Sequence, residues 1–160
     1  MIQYCLDTNI YIEPRNKYYS MDLCPWYWEY LDKLAKDKVI FSPIEVKNEL
    51  ILHDDKLSEW VKKRPYFFRD IDIKTQENLI KILKKYPWLI NTIKNKSMAD
   101  PWVVACAMNG NTTVVTKESP SQNIDNKPKI PDVCSSFNIK VIDDYTFLKE
   151  IWISFSIKNK

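Results

Sequence analysis

The sequence predicts an α/β domain built on a parallel sheet with helices on both faces. Four short apolar runs carry this: "IQYCL" at 2–6, "KVIFSP" at 38–43, "TTVVT" at 112–116 and "IKVID" at 139–143 read as buried strands. Helical stretches alternate with them, and that alternation closes into a parallel sheet covered on both sides. The 160 residues suit a single domain, 1–160, with a core of its own.

Taken in order, strand one ends at Asp7, and Ile10, Tyr11 and Ile12 read as the buried side of a helical turn. Tyr18 to Met21 form a loop. Pro25 opens a helix to about Lys36, because its fixed φ suits the first turn and its missing N–H has no partner to lose there. "SPIEVKNELIL" reads as a helix start, with Ser42 as N-cap, Pro43 at the first position and Glu45 completing a capping box. Helical patterning continues through "DKLSEWVKKR", breaks at Pro65, and resumes in "TQENLIKILKKY" and "PWLINTIK". Asp100-Pro101 starts the helix "PWVVACAM", with Gly110 as its C-terminal stop. The longest irregular piece, "KESPSQNIDNKPK", has the length of a functional or mobile loop. Asp143 or Asp144 caps the last helix, "DYTFLKEIWISF".

Composition removes several chemistries. Gly110 is the only glycine, so no glycine-rich phosphate loop exists and nucleotide folds that depend on one are excluded. Cys5, Cys24, Cys106 and Cys134 are scattered without ligand spacing and read as small apolar residues, not a zinc site. A net charge of +3 permits nucleic-acid binding without arguing for it. No apolar run approaches the ~18 residues of a membrane span and the first residues lack a signal peptide, so a cytoplasmic protein is expected, with no membrane partner.

Acidic residues gather at the predicted C-terminal strand ends, where ligands bind in such folds. Asp7 follows strand one, Glu49 lies on the helix after strand two, Asp100 starts the helix before strand three, and Glu118 follows that strand. Each has an ordinary reading: Asp100 as a helix cap, Glu49 as a solvated helix residue, Glu118 as a loop acid. Asp7 is the least ordinary, because a carboxylate ending a buried strand is costly unless paired or metal-bound. Two carboxylates about 5 Å apart repel by roughly 3 kcal/mol at an effective dielectric of 20. A cluster of four therefore calls for a cation, and oxygen ligands select Mg²⁺ or Mn²⁺. Metal-assisted phosphodiester hydrolysis is the chemistry left.

"LDTNIYI", "VKNEL", "SMADPWVVACA" and "VVTKE", in that order, resemble the motifs of PIN-domain nucleases. "RNKYYSMDLCPWYWEYL", "ADPWVVACA" and "KIPDVC" resemble a bacterial branch related to VapC-type toxins. The resemblance implies a PIN-like three-layer α/β/α fold with a twisted parallel sheet of four to five strands. It implies an Mg²⁺- or Mn²⁺-dependent endoribonuclease acting on single-stranded or structured RNA, an antitoxin partner, and pairing of two copies. Carried over, Asp7, Glu49, Asp100 and Glu118 are the catalytic, metal-binding acids; Glu118 stands where PIN domains usually show aspartate. Thr8, Asn9, Thr116 and Asp132 support them, Asp132 having the alternative of an N-cap after Pro131. Arg15, Lys17 and Lys117 are the expected phosphate contacts. A haloacid-dehalogenase-type phosphatase also begins with an aspartate after strand one, but needs a second aspartate where this chain has Asn9. A PIN-like module that binds RNA or protein without cutting is the other reading.

Overall fold

The computed structural model describes residues 2–89, 98–123, 125 and 127–151. Among these, five strands form one sheet: β1 (Gln3–Leu6), β2 (Ile40–Pro43), β3 (Phe68–Arg69), β4 (Thr112–Val115) and β5 (Val141–Ile142). Their order is β3-β2-β1-β4-β5 and every pairing is parallel, as the α/β expectation requires. Helices α1 (Asn9–Lys17) and α2 (Pro25–Lys36) link β1 to β2, and α3 (Ile44–Leu50) and α4 (Lys56–Lys62) link β2 to β3. Helices α5 (Ile73–Lys85) and α6 (Asp100–Ala107) link β3 to β4, α7 (Ile130–Ser136) links β4 to β5, and α8 (Asp144–Glu150) follows.

The chain steps from β1 to one edge, then returns to the other side of β1 through β4 and β5. Parallel crossovers are right-handed, so the reversal sends the earlier and later helices to opposite faces. It also opens a crevice between the C-terminal ends of β1 and β4. Leu6 pairs with Val115, and the ladder runs one residue further: Asp7 N–H donates to Val115 O at 3.0 Å and Thr116 N–H to Ile142 O at 3.1 Å. Asp7 and Thr116 thus leave neighbouring strands side by side at the crevice.

The core lies between the sheet and its helices. Helix α6 is buried continuously from Val103 to Ala107, so it is apolar all round and runs through the interior against β1, β2, β4 and α5. Helix α2 shows one buried face, Tyr27, Trp28, Leu31, Leu34 and Ala35, at helical spacing. Part of the aromatic run stays outside it, Tyr18 at 62% and Trp26 at 40% exposure. Cys5, Cys106 and Cys134 are buried, and burial pushes the thiols of Cys106 and Cys134 up to about 11 and 12. No helix of the described residues is long and apolar enough to cross a membrane.

Several local expectations are corrected. Ser42 is not an N-cap: it sits in β2, and its buried hydroxyl donates to Leu6 O at 2.7 Å and meets Tyr11 Oη at 2.8 Å. Pro43 holds the cap position of α3, and Glu45 accepts from Asn48 at 3.1 Å and completes no capping box. Helix α6 ends at Met108 in right-handed geometry, and Gly110 lies beyond it without positive φ. Ala99, not Asp100, is the α6 N-cap, and Asp100 is its first helical residue. Asp143 caps α8, accepting from Thr146 N–H at 2.7 Å. Residues 90–94 of the expected "PWLINTIK" helix and residues 152–155 of the last one lie outside the described residues.

Candidate active site

A cleft of about 430 Å³ opens at the β1–β4 crevice. Asp7, just past β1, Glu49 on α3, Asp100 on α6 and Glu118, beyond β4, all line it together with Thr8, Asn9 and Glu13. Five carboxylates and no lysine or arginine stand among its described lining residues. The expected acids are thus on one surface, and three of them, Asp7, Glu49 and Glu118, accept hydrogen bonds from the protein around them.

Asp7 is 3% exposed. Thr8 N–H donates to its Oδ1 at 2.7 Å and the Thr116 hydroxyl to its Oδ2 at 2.8 Å. Thr116 Oγ1 also accepts from Asn9 Nδ2 and from Glu118 N–H, each at 3.2 Å. With both lone pairs engaged, the hydroxyl has its proton to give, and Asp7 receives it. Asn9 Oδ1 accepts from Lys117 N–H at 3.0 Å, which fixes the amide's orientation, since a backbone N–H can only donate. Burial pushes the Asp7 carboxyl up to about 7, and the Glu118 and Glu49 charges add to the rise. The bonds from Thr116 and Thr8 pull the other way.

Glu49 bridges two segments. Its Oε2 accepts from the Thr8 hydroxyl at 2.6 Å and its Oε1 from Ala99 N–H, at the entry of α6, at 3.0 Å. Glu118 is held from the far side, its Oε2 accepting from Ile130 N–H at the start of α7 at 2.9 Å. The longer glutamate side chain lets one oxygen reach α7 while the residue still lines the cleft. Asp100 lines the cleft from the first turn of α6.

Asp132, expected beside these acids, is hydrogen-bonded to backbone N–H groups. It accepts from Lys129 N–H at 2.9 Å and from Ser121 N–H at 3.0 and 3.2 Å, fastening the chain at Ser121 to the first turn of α7. It does not line the cleft. The cap-type role after Pro131 is the one it fills, at the third helical position.

The expected phosphate contacts all have acidic partners. Arg15 is ion-paired with Asp55 and donates to Asn16 Oδ1 at 2.9 Å. Lys17 bonds Glu13 at 2.7 Å, one turn back on α1. Lys117 bonds Asp144 at 2.9 Å, with Tyr18's ring centroid 5.5 Å from its Nζ, and the Asp144 contact raises its pKa above the ordinary lysine value. Sequence reasoning missed Glu13 and His53 as lining residues. Glu13 stands four positions after Asn9 on α1, so helical spacing was the available signal for it, whereas His53 lies beyond the end of α3.

The donor set tests the expected metal. Carboxylate oxygens with neighbouring hydroxyl and amide groups suit a hard divalent ion and no soft one. In the pose described, however, no group of three or more His, Cys, Asp or Glu among the described residues is arranged to hold a metal ion. The chemistry of the residues fits Mg²⁺ or Mn²⁺, and loading would draw Glu49 and Glu118 off their present protein donors.

Residues 4–155 match the family described as "Domain of unknown function (DUF4411)". No curated protein matches the sequence. Among solved structures, the fold is similar to a chain of the crystal structure of VapBC2 from Rickettsia felis bound to a DNA fragment from their promoter. That likeness covers 89% of this chain and 98% of the other, with 21% sequence identity and a TM-score of 0.49.

Proposed function

Because the chain belongs to the DUF4411 family, whose description assigns no chemistry, we propose its function from the cleft: an Mg²⁺- or Mn²⁺-dependent endoribonuclease that cuts single-stranded RNA. The observation that carries this reading is the cleft's lining, five carboxylates without a lysine or arginine among the described residues, one of them the buried Asp7. So much negative charge repels a polyanion unless a cation is present, and repulsion among the acids gives that cation its affinity. A divalent ion held there supplies a water of lowered pKa and polarises a phosphoryl oxygen.

Asp7 and Asp100 are the principal ligands in this reading, with Glu49 beside them and Glu118 as a more distant acid tethered to α7. Thr116 and the Thr8 N–H aim Asp7's two oxygens. Asn9 holds Thr116 and Lys117 in register. Lys17 and Lys117 would each exchange a carboxylate for a substrate phosphate, whereas Arg15 stays paired with Asp55. In-line attack by water leaves a 5′-phosphate and a 3′-hydroxyl.

The motif resemblance extends the reading to the toxin half of a toxin–antitoxin pair, acting as a cytoplasmic protein, with an antitoxin covering the cleft and two copies pairing. Co-expression with the product of a neighbouring small gene, followed by size-exclusion chromatography, tests both associations. The second reading, a module that binds without cutting, is favoured by the acids' present hydrogen bonds to protein donors. End-labelled single-stranded RNA, incubated with protein plus Mn²⁺, plus EDTA, and with Asp7→Asn, decides between them. Cutting that needs Mn²⁺ and Asp7 supports the nuclease; inertness of all three on pooled cellular RNA supports the module.

A further inference from the structure

We propose that a second hollow, which shares lining residues with the acid cleft, is the subsite for one unpaired nucleobase of the substrate strand, and that it selects guanine; this rests on the nuclease reading above. The hollow encloses about 410 Å³. Ile12, Glu49 and His53 line both spaces, so a strand with a phosphate at the acids brings a neighbouring nucleotide to this opening. Its apolar lining comprises the half-buried Ile12, which can meet the face of a base, and Leu50 and Leu57, both almost wholly buried.

The polar side of the hollow is an organised pair. Arg15 is ion-paired with Asp55 Oδ2 and braced by Asn16, while Asp55 Oδ1 accepts from Ser58 N–H at 2.9 Å as the N-cap of α4. Two bonds do not saturate a carboxylate with four lone-pair sites, nor two contacts a guanidinium with five N–H groups. The hollow therefore offers a donor beside an acceptor that can take more than one N–H. Guanine alone among the four bases presents a carbonyl beside two adjacent N–H donors on one edge. Adenine and cytosine offer one amino group there, and uracil one N–H between two carbonyls. Those bases leave part of the Arg15–Asp55 pair desolvated without a partner, and an unmet buried polar group is costly.

The test titrates guanosine, inosine, adenosine, cytidine and uridine into ¹⁵N-labelled full-length protein in EDTA, following the amides of Asn16 and residues 50–58. Neutral nucleosides avoid repulsion by the acids, and inosine differs from guanosine only in lacking the 2-amino group. Guanosine is expected to bind about tenfold tighter than adenosine, cytidine or uridine, the discrimination of one good bidentate contact, with inosine between. Asp55→Asn keeps an oxygen to cap α4, so it preserves the fold while removing the preference; Arg15→Lys reduces it. Equal binding of all five, shifts elsewhere in the protein, or a preference that survives both substitutions overturns the proposal. Neither metal nor cleavage enters the assay. Guanosine preference in a protein that never cuts RNA would sink the nuclease reading alone, and cutting without guanosine preference would sink the subsite alone.

Discussion

The Thr116 hydroxyl gives its proton to Asp7 Oδ2 across 2.8 Å, because Asn9 Nδ2 and Glu118 N–H occupy its lone pairs. One hydroxyl thereby sets the orientation of the buried acid and ties it to the residue two positions on. Thr116→Val keeps the shape and removes the hydroxyl. It is expected to cost about 1–3 kcal/mol, since two part-buried donors lose their acceptor. It also removes a bond that lowers the Asp7 pKa, so that carboxyl should titrate above its present value of about 7. Urea melts and carboxyl ¹³C shifts read the two effects, and Thr116→Ser should restore both.

The raised Asp7 pKa has a stability consequence of definite sign. Its ordinary value is 3.8 and its folded value about 7, so between those pH values the folded chain keeps a proton that the unfolded chain has lost. The resulting stability is fully present below about pH 4 and is lost as pH rises through 7. Measured in EDTA against Asp7→Asn, the wild type should lose on the order of 2–4 kcal/mol between pH 4 and pH 8. The asparagine amide meets a donor at one of its two partners, which adds an offset independent of pH. A wild-type-minus-mutant difference that does not vary with pH contradicts the assignment.

Glu49 separates structure from chemistry. In Glu49→Gln the amide oxygen still accepts from Ala99 N–H, and the amide NH₂ can donate to the Thr8 hydroxyl. Metal-free stability should stay within about 1 kcal/mol of wild type. Mn²⁺, which stabilises the wild type by mass action, should raise the melting temperature of the variant far less. Equal Mn²⁺ responses would remove Glu49 from the metal's surroundings.

Asp132→Ala should act on the fold alone. It strips the acceptor from Ser121 N–H and Lys129 N–H and is expected to cost about 1–2 kcal/mol, as lost caps do. Amide exchange across 117–129 should quicken, while the Mn²⁺-induced stabilisation persists. A loss of Mn²⁺ response with unchanged exchange would return Asp132 to a role beside the acids.

How much of this was legible in the sequence follows from what is local. The strand ending at Asp7, the helix opened by Pro25 and the four acids at strand ends depend on near neighbours and on the parallel-sheet rule, and the structure brings those acids to one cleft. Ser42 was misread because "SPIE" imitates a capping box. What decides its fate is distant: β3 pairs with Ser42 and Pro43, prolonging β2 over the supposed cap. A two-residue strand, Phe68–Arg69, is too short for alternation to show. Helix α1 carries Pro14 inside it, a residue that breaks the pattern by which helices are read. The Glu49–Ala99 and Glu118–Ile130 bonds join positions with no periodic relation, and only tertiary packing reveals them.

The most direct measurement places wild type and Glu49→Gln side by side on end-labelled single-stranded RNA, with Mn²⁺ and with EDTA. Wild type is expected to cut only with Mn²⁺, leaving 5′-phosphate ends, while the equally stable variant falls by at least a hundredfold. Cutting that survives EDTA, or that Glu49→Gln leaves unchanged, would contradict a metal-loaded carboxylate site.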